Sequence, residues 1–265
     1  MTTTTTIGLQ DRTRALLDSL ESSGILLVEW ETSLFVRLGY PLVSNGSIFL
    51  LVPDTQLQQV RFLAANVGLF PVNESTLTYD YPCEWCPLAL RFPLDDSTTP
   101  KYGPSRRLVF APFSWTGITP SDAIPITSAT SKVHHSNIAL QHSNITLPPY
   151  VQTVPLSVAC TALVRIVARS SHGSTLRMET IESLSSVIGY ALIDMSYEGD
   201  YMEIMENEVP LNEIEKKEIE DAVGVMEGWE MRKGEEWIRR ELIAIMRGKK
   251  AYYDLPSEEV KPYAA

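Results

Sequence analysis

Positive charge, cysteine and long apolar runs are all scarce in this 265-residue chain. Its 22 Lys and Arg residues face 33 Asp and Glu residues, for a formal net charge of −11. A surface of that sign repels polyanions, so broad charge-driven binding of nucleic acid or of an anionic membrane is not expected. The one local exception is Lys101 with Arg106 and Arg107, which reads either as a phosphate-binding patch or as a solvated loop. No run approaches the roughly 18 apolar residues of a membrane span. Three cysteines, Cys83, Cys86 and Cys160, are too few and too odd in number for a disulfide framework and fit a reducing compartment. The opening MTTTTTIGLQDRTR holds no apolar core of signal-peptide length, so the expectation is a cytoplasmic or nuclear protein. Glycosylation sequons at Asn45, Asn73 and Asn144 then read as chance matches. The chain also has no G-x-S-x-G turn, no G-x-G-x-x-G and no phosphate-loop sequence. His172 falls in a Ser-Ser-His-Gly link, and serine–histidine–aspartate catalysis has no support.

What is present is material for a core: 44% of the residues are apolar, an ordinary globular share. Leu9, Leu16, Leu17 and Leu20 line one side of an amphipathic helix that Gly24 can close in the left-handed conformation. Ile25 to Trp30 is an apolar run of strand length. Thr32 or Ser33 can cap a short helix through Leu38, with Gly39 closing it. Ile48 to Val52 is strand-like again and Pro53 ends it. Asp54 or Thr55 can then cap a helix over Gln56 to Asn66, after which Leu69 to Val72 reads as the start of a third strand. Alternating helix and strand over fewer than 75 residues points to a small sheet flanked by helices.

Beyond Asn73 prolines recur and periodicity fades, apart from a strand at Arg106 to Phe113 that Pro112 places at a sheet edge or strand end. After Pro155 the pattern is helical: Leu156–Arg169, Thr175–Tyr197, Asn212–Val225 and Glu235–Arg247, with Asn212 and Glu215 as a reciprocal cap. The expected fold class is α+β. Residues 1–115 form a small mixed sheet with flanking helices, 116–154 an irregular Pro/Ser-rich connection, and 155–265 a helical subdomain.

The block Gly24–Asp54 with the helix after it resembles the nucleotidyltransferase fold, and most of all a divergent fungal group of nucleotidyltransferase-like proteins. The resemblance rests on the strand Ile25–Trp30, on Gly39-Tyr40-Pro41 as a G-x-P element, and on Val52-Pro53-Asp54 as the strand ending. Trp30, nine residues before Gly39, fits the fungal pattern. It covers roughly the first 75 residues.

In that family a Gly-Gly or Gly-Ser turn lets backbone amides approach phosphate, and an Asp-x-Asp pair on the second strand shares divalent metal. Carboxylates on alternate strand residues face the same side, which lets them hold Mg²⁺ together against a triphosphate. Here the two aspartate positions carry Ser47 and Phe49. The glycine turn falls at Glu31-Thr32, where a carboxylate would repel triphosphate, and the strand Arg107–Phe110, expected at the sheet edge, lacks the third carboxylate.

The resemblance therefore implies a catalytically silent relative with a binding or accessory role and no catalytic residue. The rival is an active enzyme whose Mg²⁺ is held by displaced carboxylates, Glu29, Glu31 and Asp54. Against that rival, Glu29 and Glu31 can simply face solvent or a helix, and Asp54 can cap one.

Two other groupings carry chemistry by type. Cys83-Glu84-Trp85-Cys86 has the spacing of a zinc knuckle or redox pair, with Cys160, His134, His135 and His142 as remote candidates to complete a metal site. Packing beside Trp85, or a weak bridge between the two cysteines, explains the same residues without function. The acidic stretch Glu198 to Glu236 suits a basic protein partner or a solvated helix face. Its Trp229, Trp237, Met226 and Met231 read as interhelix packing.

Overall fold

The computed structural model describes residues 8–42, 46–72, 79, 81–95, 106–126, 147–193 and 212–257. The architecture is α+β around a six-stranded mixed sheet. Two compact units divide the chain. One holds residues 1–37 and 41–155, the other 38–40 and 156–265.

The first unit opens with α1 (Leu9–Ser22), whose Leu16, Leu17 and Leu20 are buried. Gly24 closes the helix at φ +66°, and the Ile25 amide reaches back to the Leu20 carbonyl at 3.0 Å. β1 is only Val28–Glu29, shorter than the apolar run suggested. Ile25 and Leu27 instead enter the core beside it, while the Trp30 amide still bonds the Phe49 carbonyl at 3.0 Å. A short helix α2 (Thr32–Arg37) leads to β2 (Ile48–Val52). A 3₁₀ turn (Asp54–Gln56) and α3 (Leu57–Asn66) follow. Leu69–Val72 stays outside the strand ladders; Val72 makes one backbone bond to Arg91 at 2.8 Å.

A second 3₁₀ turn (Pro82–Trp85) precedes β3 (Leu90–Pro93) and β4 (Arg107–Pro112). The unit ends with α4 (Phe113–Thr116), a 3₁₀ turn (Pro120–Asp122), β5 (Ile124–Pro125) and β6 (Gln152–Thr153). Strand order is β3-β4-β2-β1-β6-β5. β1 runs antiparallel to β2, β2 parallel to β4, and β3 antiparallel to β4. The expected edge position of Arg107–Phe110 is thus corrected: β3 pairs along its outer side and takes the edge.

Alternation along the strands gives the sheet two different faces. Ile48, Leu50, Val52, Leu108, Phe110 and Phe92 join α1 and α3 residues in the main core. The intervening residues Ser47, Phe49, Arg107, Val109 and Arg91 belong to the other face and are buried as well.

The second unit contains α5 (Leu156–Arg169), α6 (Thr175–Leu192), α7 (Asn212–Glu227), α8 (Glu236–Met246) and a 3₁₀ turn (Tyr252–Asp254). Ser174 caps α6, its Oγ accepting from the Arg177 amide at 3.3 Å. Arg177 is buried and donates to the carbonyls of Val167, Leu255, Pro256 and Tyr253, at 2.6, 2.5, 3.2 and 3.4 Å. Those bonds fasten the last described segment to the helices. Arg165 grips Glu235 with two bonds of 2.8 and 2.6 Å. No helix among the described residues is long and apolar enough to cross a membrane.

Candidate functional site

The second sheet face is where polar chemistry collects. β2 supplies Phe49, with Ser47 just before its start, β3 supplies Arg91, and β4 supplies Arg107. Over them lies the 3₁₀ turn with Cys83 and Glu84. Proline at its first position fixes φ, and the Glu84 carboxylate accepts from the Tyr81 amide at 3.2 Å.

Glu84 is buried and its Oε1 takes a bond of 2.6 Å from Arg107 Nη1. Burial makes such a pair interdependent, because removing one partner strands the other charge away from water. Arg91 serves the turn itself. Its guanidinium donates to the carbonyls of Glu84, Cys86 (2.8 Å) and Ala89 (3.1 Å) and lies over the Tyr79 ring at 5.4 Å. The backbone of residues 84–89 is thus wrapped around one cation.

Glu31 reaches this cluster from the start of α2. Its carbonyl accepts the first helical bond, from the Phe35 amide at 2.7 Å, while its φ of +47° is the only positive value at a non-glycine position among the described residues. That conformation costs an L-residue roughly 1–2 kcal/mol. Its side chain is 1% exposed. Oε1 accepts from the Cys83 amide at 2.6 Å, whereas Oε2 is buried without a conventional partner among the described residues. Burial, with Glu84 adding to it, pushes the carboxyl from the ordinary 4.5 up to about 8, against the opposing bonds from Cys83. At neutral pH Glu31 is therefore held mostly as the neutral acid. Burial also pushes the Cys83 thiol well up, reinforced by Glu31 and Glu84.

Ser47 and Phe49, the residues expected from the sequence at metal-binding aspartate positions, are engaged otherwise. Ser47 Oγ accepts from the Arg107 amide at 3.1 Å. Phe49 is fully buried and packs on Tyr81 with ring centroids 4.7 Å apart. Glu29, Glu31 and Asp54 each have an internal partner as well. Glu29 is gripped at both oxygens by Arg37, with the Nη2 bond at 3.0 Å. Glu31 holds Cys83, and Asp54 Oδ2 accepts from the Ser114 amide at 3.1 Å. Asp54 thereby ties α4 to the end of β2 and leaves the following turn without a side-chain cap. As a donor set for Mg²⁺ the three fit poorly, because one is charge-paired, one is neutral and one is committed to a backbone amide.

Arg107 is not part of an exposed basic patch: it is buried against Glu84, and Arg106 pairs with Asp95 at 2.7 Å. Cys160 is buried on α5, away from the other two thiols in chain order and in a different compact unit. Lys101, His134, His135, His142, the three sequons, residues 198–211 and the side chains of the Asn212/Glu215 cap lie outside the described residues. Glu84 and Arg91 escaped the sequence reading. The available signals were a glutamate enclosed by two cysteines and an arginine at an inward position of a strand.

No protein family, curated protein or solved structure matches the chain.

Proposed function

We propose that the chain is a nucleotidyltransferase-like protein without nucleotidyl transfer, acting through binding or as an accessory protein. The observation that carries this reading is the state of Ser47 and Phe49. One has its hydroxyl engaged by the Arg107 amide, and the other is a fully buried ring packed against Tyr81 at a tilt of 53°. Neither offers an ion or a charge where the fold's chemistry would need a carboxylate pair. The order of β1, α2, β2 and α3, with Val52-Pro53-Asp54 at the end of β2, supports the likeness in fold. A protein partner for the acidic helical half fits the same binding role.

The alternative is metal-dependent transfer through Glu29, Glu31 and Asp54. It requires three side chains to leave Arg37, Cys83 and Ser114.

The test is thermal stability with each of the four nucleoside triphosphates, with and without Mg²⁺ or Mn²⁺. Ligand at ~100 times its Kd stabilises a folded protein by about 2.7 kcal/mol, an easily measured shift. The expected result is no metal-dependent shift. A shift that needs metal and disappears in Asp54→Asn overturns the reading and restores the enzyme.

A further inference from the structure

We propose that Cys83 and Cys86 form a dithiol–disulfide couple that exchanges with small-molecule disulfides of the glutathione class. The inference stands independently of any nucleotide chemistry.

Backbone geometry is the first support. The Cys86 amide donates to the Cys83 carbonyl at 3.1 Å, closing the turn that begins at Pro82. A turn closed in this way keeps its end Cα atoms within about 7 Å, which overlaps the ~4.4–6.8 Å window of a disulfide. Both thiols are free. Arg91 already fastens the carbonyls of Glu84 and Cys86, so the turn is held whether or not the sulfurs are joined.

The two sulfurs also differ in setting. Cys83 is sealed against Glu31 and Glu84. Cys86 is buried too, at 2% exposed against 1% for Cys83, but it is followed directly in the chain by the exposed Pro87 and Leu88. Amides of Leu88 and Ala89 and the Arg91 guanidinium favour its thiolate, although burial, helped by Asp54, outweighs them and raises the thiol above its ordinary value. This asymmetry makes Cys86 the attacking thiol and Cys83 the resolving one. Glu31 supplies the remaining part. It is a buried carboxyl in contact with Cys83, with one oxygen unpartnered. A carboxyl held near solution pH can take and return a proton efficiently.

The exchange balances as follows. The Cys86 thiolate attacks one sulfur of glutathione disulfide. That S–S bond breaks, a mixed disulfide forms on Cys86, and the first glutathione thiolate leaves and is protonated by solvent. In the fraction of molecules with Glu31 ionised, the Cys83 thiol passes its proton to that carboxylate and its sulfur attacks Cys86 Sγ. The mixed S–S bond breaks, and the leaving glutathione sulfur takes the proton back from Glu31 and departs as thiol. Two cysteine thiols lose two electrons, and one glutathione disulfide gains them.

The experiment equilibrates the native full-length protein in glutathione buffers of increasing oxidation. Thiols are then trapped by acid quench and alkylation and mapped by peptide mass. The expected result is joint loss of label at Cys83 and Cys86 while Cys160 stays labelled. Cys83→Ser should stop at a glutathione adduct on Cys86, and Cys86→Ser should take up none. Glu31→Gln, which keeps the shape of the side chain, should accumulate the Cys86 adduct because resolution slows by about 10²-fold. The proposal is overturned by a native protein that stays reduced in glutathione disulfide alone. A first adduct on Cys83, or unchanged resolution in Glu31→Gln, overturns the assigned roles.

Discussion

Glu31 combines a left-handed backbone with a carboxyl that is almost wholly out of water. Its folded state keeps a proton up to about pH 8, whereas the ordinary carboxyl loses it near 4.5. Across that window the native state binds more proton than the unfolded chain, so stability falls as pH rises. The contribution is at most ~1.4 kcal/mol per pH unit and levels off above the folded value. Glu31→Gln removes the titration and keeps an oxygen for the Cys83 amide. Urea unfolding at a series of pH values should show wild type declining from acid to mildly alkaline solution relative to the variant. Parallel pH profiles would mean the carboxyl is already ionised in the fold. Arg107 poses the complementary case, a cation whose loss leaves Glu84 charged and buried. Arg107→Met is expected to cost ~3–5 kcal/mol, and Glu84→Gln in the same chain to recover part of it. A double-mutant cycle measures the coupling, and a value near zero would show that water reaches the pair.

The sheet explains why Ser47 and Phe49 are hard to convert into a metal site. Phe49 sits mid-strand in β2 with Leu51 and Val109 for company and Tyr81 across its ring. An aspartate there loses the ring's packing and buries a charge, at a cost of ~3–5 kcal/mol or more. Ser47→Asp with Phe49→Asp should therefore melt well below wild type and gain no Mn²⁺-dependent nucleotide shift. A gain of binding would mean that the second face opens readily.

The same sheet shows what could be read from sequence. α1, α3, α5 and α8 were legible because their apolar residues repeat at the helical period, and β2 because it is a continuous apolar run ended by Pro53. β3 was hidden: Leu90–Pro93 is four residues beside recurring prolines, and only pairing with β4 makes it a strand. β1 was overestimated because an apolar run marks burial rather than pairing, and Ile25 and Leu27 are core residues outside the ladder. The polar cluster was illegible for a related reason. Cys83 and Glu31 are 52 positions apart, and Glu84 and Arg107 are 23 apart, so no local pattern connects them.

At the scale of the whole chain, the division into two units does not follow the simple order of N-terminal sheet and C-terminal helices. The chain leaves the first unit after Arg37, contributes Leu38–Tyr40 to the helical unit, and returns at Pro41. Gly39 at φ +112° permits that excursion, and Pro41 keeps Tyr40 out of helical conformation. The anchor of the excursion is Tyr40, whose ring lies nearly parallel to that of Tyr190 of α6, with centroids 5.2 Å apart and planes at 16°. An aromatic pair of this kind is worth ~0.5–1.5 kcal/mol beyond the area it buries. Tyr40→Ala should thus loosen α6 selectively. Amide hydrogen exchange near Tyr190 should quicken about 2- to 10-fold, the range that this energy sets for local opening. The β2 and β4 amides, held by the first unit's own ladder, should exchange at wild-type rates. Uniform acceleration in both units would instead make Tyr40 a residue of the whole chain's cooperative unfolding. No acceleration in α6 would mean that the stacked rings contribute no energy to the helical unit.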